Sequence, residues 1–206
     1  MTILPLTYLG NIQWFTKLLF EECVIDLGEH YVRQSYRNRC EILASGGVVP
    51  LSAQVVKPDN WNRQTMAEVR LDYSKRWQHR HWNSIVAAYR SSPWFDHYAP
   101  LLEPFYRRRF ELLSEFNMEL LHLMLKLLNA SPGLRFSREY IPPAEGDLRA
   151  VLSPKARRAK PDPRFAPAEY WQVFSDRHPF APNLSIIDLL FCEGPRAMEI
   201  LRAGYL

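Results

Sequence analysis

Ten consecutive residues, His30-Tyr31-Val32-Arg33-Gln34-Ser35-Tyr36-Arg37-Asn38-Arg39, hold three arginines, two tyrosines, a histidine and two amides, with no acid among them. Guanidinium groups present N–H donors in a fixed fork that matches phosphate or carboxylate oxygens, and neighbouring tyrosines stack on rings or bond hydroxyls. The strip therefore reads as an anion-binding surface with Tyr31, Arg33, Tyr36, Arg37, Asn38 and Arg39 as contacts. In an extended segment, alternation sends Arg37 and Arg39 to one face and Asn38 to the other. The competing reading is a solvated loop or edge strand whose arginines pair with Glu29 and Glu41. For proton transfer the candidates are His30, at the head of the strip, and His81, because imidazole titrates near neutral pH.

The other chemistry-bearing residues form weaker patterns. His79 and His81 flank Arg80, and on a helix their rings diverge, which argues against a metal site. His81 also shares the helical spacing of Trp77 and Ile85, the position of a satisfied core histidine. Trp77, Trp82, Tyr89, Trp94 and Phe95 read as core before they read as a stacking surface. Asp26 closes an apolar run, where it can meet a substrate hydroxyl, a metal or Arg37, while Asp188 reads as either an early-helix charge favoured by the dipole, which suffices without function, or a site acid. There is no phosphate-binding glycine loop, G-x-S-x-G elbow or His-Glu-x-x-His helix, so no motif specifies a cofactor. Cys23, Cys40 and Cys192 form no C-x-x-C pair, which implies neither a zinc site nor a disulfide framework and fits reduced thiols in the cytoplasm.

The elements that must hold these residues follow from periodicity. Residues 2–6 form a short apolar strand, Gly10-Asn11 a turn, 12–20 a helix through Ile12, Phe15, Leu18 and Leu19, and 23–27 a second buried strand leading into the strip. This Rossmann-like β-loop-α-β opening implies an α/β fold, a single domain over 1–206 with a small mixed sheet. Ligands of such sheets sit beyond the strand carboxyl ends, which brings Tyr8 and Thr7 toward His30. A hairpin is expected over 40–56 about Ser45-Gly46-Gly47, ended by Lys57-Pro58-Asp59-Asn60, and a strand over 69–72. Ser74 reads as the cap of a helix running to Tyr89. A long amphipathic helix is expected over 104–129, strands over 134–141 and 170–174, and a helix starting at Asn183 or Ser185 and interrupted at Gly194-Pro195. Residues 142–168 are proline-rich and basic, with Lys155, Arg157, Arg158, Lys160 and Arg164. They are expected to be a mobile loop, either disordered or a lid over an anionic ligand.

Composition limits the partners. The 206 residues carry 26 lysines and arginines against 22 acids, a net charge of +4 with the two signs interspersed. Nucleic-acid binding calls for aromatics interleaved with bases across an exposed sheet, and only Tyr31, Arg33, Tyr36 and Arg37 supply this, so nucleic acid is disfavoured. The most apolar stretch, 112–128, is broken by charged and polar residues, so no membrane insertion is expected. The expected partner is a small anionic substrate.

Several strings in order resemble one family. They are Pro5-Leu6-Thr7-Tyr8-Leu9-Gly10, the strip from Glu29 to Cys40, Trp77-Gln78-His79-Arg80-His81-Trp82, Ser92-Pro93-Trp94-Phe95, Tyr170-Trp171-Gln172-Val173-Phe174, and Pro182 to Phe191. Over nearly its full length the chain resembles the WbqC-like proteins of bacteria. It departs at the opening, where Leu4 stands in place of the usual glutamine before Pro5, and it keeps Arg37-Asn38-Arg39. The family takes its name from surface-polysaccharide gene clusters. The resemblance implies a cytosolic enzyme of surface-glycan precursor biosynthesis, a transferase that moves an acyl or aminoacyl group to an amino-sugar nucleotide. The alternative is a non-catalytic protein that binds an anionic partner such as nucleic acid or an assembly component.

Overall fold

Residues 2–5 and 23–26 are apolar runs in which every residue is buried, the pattern of strands covered on both faces. The computed structural model describes residues 1–57, 63–155 and 159–206. Its strands and α-helices follow in the order β1 (Thr2–Pro5), α1 (Ile12–Phe20), β2 (Cys23–Asp26), β3 (Arg39–Ala44), β4 (Gly47–Ser52), α2 (Trp77–Tyr89), α3 (Phe95–Leu102), α4 (Pro104–Arg107), α5 (Leu113–Leu127), β5 (Phe136–Ser137), α6 (Ile186–Glu193) and α7 (Ala197–Ala203). Pro58, Asp59 and Asn60 of the expected hairpin stop, and Arg157 and Arg158 of the basic segment, lie outside the described residues.

The fold is mixed α/β, with its parallel and antiparallel strands in separate sheets. β1, β2 and β5 form a parallel sheet in that order, while β3 and β4 form an antiparallel hairpin from Arg39 opposite Ser52 to Ala44 opposite Gly47. Gly47 holds a φ of +108°, a conformation that suits glycine after the tight Ser45-Gly46 turn. α1 makes the crossover between β1 and β2. Its start is set by Asn11, whose side chain accepts from the Trp14 amide at 3.0 Å, and the Trp14 indole donates to the Pro5 carbonyl at 2.8 Å. The β-loop-α-β opening thus forms where the apolar pattern and the Gly10-Asn11 turn predict it, and the Asn11 cap is seen only in the structure.

One contiguous core runs from Leu4 to Leu201 and includes Trp14, Trp77, Tyr89, Phe116 and Phe191. Trp82, Trp94 and Phe95 pack against it, so the aromatic series belongs to the core.

Five local expectations are corrected. The helix over 104–129 is two, because 108–112 is extended: the Leu71 amide donates to the Glu111 carbonyl at 3.0 Å and the Leu113 amide to the Val69 carbonyl at 2.8 Å. Those bonds also use up 69–72, which forms isolated bridges in place of a strand. Ser74 does not cap α2; its amide donates to Asp72 Oδ1 at 2.8 Å and the helix starts at Trp77. Residues 170–174 are not a strand, since Gln172 substitutes for a strand partner by accepting from the Ala181 amide and donating to the Ala181 carbonyl, both at 2.9 Å. α3, which contains Pro100, was not foreseen, and the strand expected over 134–141 shortens to β5.

Candidate functional site

The carboxyl end of β2 is organised by Asp26. Its Oδ1 accepts from the Gly28 and Glu29 amides at 2.8 and 3.1 Å, and its Oδ2 accepts from the Ile141 amide at 3.3 Å and from the Arg149 guanidinium. A fully buried carboxylate needs such saturation, because an unpaired buried charge is costly. One side chain therefore joins the loop after β2 to the segment after β5 and to the segment around Arg149.

A second ion pair lies alongside. Arg37 Nε donates to Glu29 Oε1 at 2.7 Å and Arg37 Nη2 to Glu29 Oε2, a bidentate fork between buried partners. Burial pushes the Glu29 carboxyl up from its ordinary range, against the pull of the Arg37 charge. Arg149 forks onto Asp147 at 2.9 and 2.7 Å. Burial opposes ionisation of Asp147, yet the Arg149 hydrogen bonds hold its carboxyl below the ordinary value. Gln34 sits at a φ of +54°, uncommon for a residue with a Cβ, and its side-chain oxygen accepts from Lys155 Nζ at 2.8 Å.

These groups line a cavity of about 430 Å³ beyond the carboxyl ends of β2 and β5. Its walls include Glu29, His30, Arg33, Ser35 and Arg37 from one segment and Tyr140, Asp147, Arg149, Leu152 and Lys155 from the other. The volume is in the range of small-molecule sites. Four cationic side chains and two carboxylates, set among Val32, Pro143, Ala150 and Leu152, can take a ligand with an anionic end and a less polar body.

Of the residues marked in sequence, the structure brings His30, Arg33 and Arg37 to this cavity. The strip turns after Val32 and is extended again only from Arg39, so the expected alternation of Arg37, Asn38 and Arg39 does not hold. Arg37 goes to Glu29, Asn38 Nδ2 donates to the Ala53 carbonyl at 3.0 Å, and Arg39 Nε donates to Ser52 Oγ at 3.1 Å. Tyr31 is buried with its hydroxyl unpartnered among the described residues, and Tyr36 is buried as well.

Tyr8 and His81 form a separate chain. The Tyr8 hydroxyl lies 3.0 Å from His81 Nδ1 and 2.7 Å from the Tyr106 hydroxyl. Burial pushes the His81 imidazole down to about 4, helped by the Arg80 charge and opposed by a bond to the Ser52 backbone. The ring is neutral and enclosed, away from the cavity-lining residues. Asp188 is likewise enclosed, accepting from the Tyr89 and Tyr170 hydroxyls at 2.7 and 2.6 Å and from Gln172 Nε2 at 3.1 Å. Sequence reasoning missed Tyr140, Asp147 and Arg149 as cavity residues. The legible signal was Asp147-x-Arg149, an acid two residues before a base at the head of the basic segment.

The described residues of 142–168 are tied to the body. The Ile3 amide donates to the Gly146 carbonyl at 3.1 Å and the Leu148 amide to the Ile3 carbonyl at 3.0 Å, while Leu148, Arg149 and Leu152 are buried. Among the described residues, no three His, Cys, Asp or Glu side chains are grouped to hold a metal, and no helix is long and apolar enough to cross a membrane.

Fold and cavity together define a mixed α/β protein with an arginine-lined cavity at its strand carboxyl ends. The model of the WbqC-like protein family matches residues 8–159, well over half of the chain, and the chain belongs to that family. The match takes in both walls of the cavity and ends before the 170–174 and 182–191 strings. No curated protein and no solved structure matches the chain.

Proposed function

We propose that this protein binds an anionic small molecule in the cavity and acts as a cytosolic enzyme of surface-glycan precursor biosynthesis, transferring an acyl or aminoacyl group to an amino-sugar nucleotide. The observation that carries the reading is the convergence of Arg33, Arg37, Arg149 and Lys155 from two distant segments on one cavity. Arg37 and Arg149 are fixed by Glu29, Asp26 and Asp147, so this wall is formed before a ligand arrives, and Arg33 and Lys155 are the cations that meet the anion. In the transfer, the sugar amine attacks the activated carbonyl, the new C–N bond forms as the bond to the leaving group breaks, and the exposed, cavity-lining His30 takes the amine proton. The family membership supports the setting through what the resemblance implies, a role beside surface-polysaccharide genes.

The test is a thermal-shift panel of sugar nucleotides, nucleotides and acyl donors on the purified protein, followed by product analysis with each pair that shifts. A shift lost in Arg33→Ala and Lys155→Ala supports the reading. Silence across the panel, or a shift that both variants leave intact, removes it. A shift with no product from any donor and acceptor pair favours the binding-protein alternative.

A further inference from the structure

Tyr140 is the only Phe, Tyr or Trp among the described residues that line the cavity, and it is 52% exposed. Its neighbourhood is built. The Arg149 guanidinium lies over the ring, 5.2 Å from its centroid, and Arg149 is itself clamped by Asp26 and Asp147. The backbone beneath Tyr140 is fixed as well, since the next amide, Ile141, donates to Asp26 Oδ2 at 3.3 Å. Gly28 makes the approach possible: a Cβ there would stand 2.4 Å from Glu139 C and Tyr140 N, a separation that backbone atoms do not tolerate. Among the described residues no aromatic ring packs on Tyr140. A large aromatic side chain thus stands on a fixed backbone beside a clamped cation, with half its surface left uncovered at a cavity lined by arginine and lysine.

From this geometry we propose that Tyr140 is a stacking platform that makes the cavity selective for anions carrying a planar ring, namely nucleotides, with the base on Tyr140 and the phosphates toward Arg33 and Lys155. The inference rests on the anion-binding reading above and deepens it by naming the residue that recognises the nucleotide portion. Stacking of a base on an aromatic side chain tolerates any base, because every base has a π face, and truncating the side chain weakens binding by roughly 5- to 100-fold.

The experiment is calorimetric titration of the full chain with inorganic pyrophosphate, uridine diphosphate and adenosine diphosphate, for the unmodified protein, Tyr140→Ala and Tyr140→Trp. The expected result is that both nucleotides bind about 10-fold or more tighter than pyrophosphate. Tyr140→Ala should erase that advantage while leaving pyrophosphate affinity unchanged, and Tyr140→Trp should keep it. Tyr140 is half exposed, so both variants should fold, and thermal melts check this. Equal affinity for pyrophosphate and nucleotides, or an equal loss for all three in Tyr140→Ala, overturns the platform and leaves the anion cavity standing. If none of the three binds while carboxylate or acyl ligands of the panel do, the nucleotide inference falls and the anion reading survives. If the whole panel is silent, both fall.

Discussion

Asp188 and Asp26 are both buried carboxylates saturated by donors, but they adjoin different surroundings. Around Asp188 the donors are two tyrosine hydroxyls and an amide, from α2 and from Tyr170 and Gln172, and the cluster closes on itself. Around Asp26 the donors include Arg149, whose neighbours Tyr140, Glu29 and Arg37 form the wall of an open cavity. A neutral ring of donors satisfies one buried acid and stops there. A lattice of ions, Asp26 with Arg149 and Glu29 with Arg37, fixes charged forks at a surface a ligand can reach. Saturation alone therefore does not mark a site; saturation beside accessible volume does.

The largest expected effect comes from breaking the ionic lattice. Asp26→Ala removes the acceptor of three backbone amides and one partner of Arg149, and breaking a buried pair from one side costs roughly 3–5 kcal/mol. Urea denaturation should show that loss, and nucleotide or pyrophosphate binding should go with it, because the 28–29, 141 and 149 segments lose their common anchor. A loss below about 1 kcal/mol would mean that Asp147 holds Arg149 unaided and that the lattice is not the organising device.

Tyr89→Phe addresses the closed cluster. It deletes the 2.7 Å bond to Asp188, and hydrogen bonds to charged groups contribute about 1.5–3 kcal/mol. Stability measured by urea should fall by that amount while ligand affinity stays unchanged. A change in affinity would join the two assemblies and dissolve the contrast.

The contrast also explains what was legible in the sequence. α1 appears at the residues its apolar spacing and the Gly10-Asn11 turn indicate, the hairpin turns at Ser45-Gly46, and α6 breaks at Gly194, because each signal is local. His81 was read both as a proton-transfer candidate and, from its spacing with Trp77 and Ile85, as a core residue, and its burial agrees with the second reading. Half of the cavity was readable too, since the arginine strip declares its chemistry by composition. The other half was not: Asp26 and Arg149 stand 123 apart in sequence, and nothing near Asp26 indicates which base it will meet. Gln172 defeated the strand expectation for the same reason, by using a side chain where the pattern predicted a ladder. Long-range side-chain pairing leaves no period to read.

The enclosed histidine gives a pH signature that the cavity does not share. Folded His81 titrates at about 4 against 6.5 for the free side chain, so below pH 6.5 the unfolded chain takes up a proton that the folded one refuses. Its contribution is complete above pH 6.5 and is lost progressively down to about pH 4, reaching about 2 kcal/mol at pH 5. The raised carboxyls of Glu29, Glu41 and Asp188 act in the opposite sense, binding protons more readily when folded and so favouring the native state as acid is added. The informative quantity is the difference between unmodified protein and His81→Gln, measured by urea denaturation at pH 7 and pH 5. Parallel curves for the two proteins would mean that His81 does not stay neutral on folding.

The smallest effect on stability should accompany the most selective effect on binding. Lys155 is only partly buried, and its ammonium is bonded to the uncharged Gln34 oxygen, with no carboxylate in the contact. Lys155→Gln removes one cation from the rim without disturbing either buried ion pair, so unfolding free energy should move by less than about 0.5 kcal/mol. Pyrophosphate affinity should nevertheless fall, and its decline with rising salt should become shallower, since a screened charge contributes less as the Debye length shrinks. Unchanged affinity at low salt would remove Lys155 from the anion's contacts and leave Arg33 as the rim cation to test next.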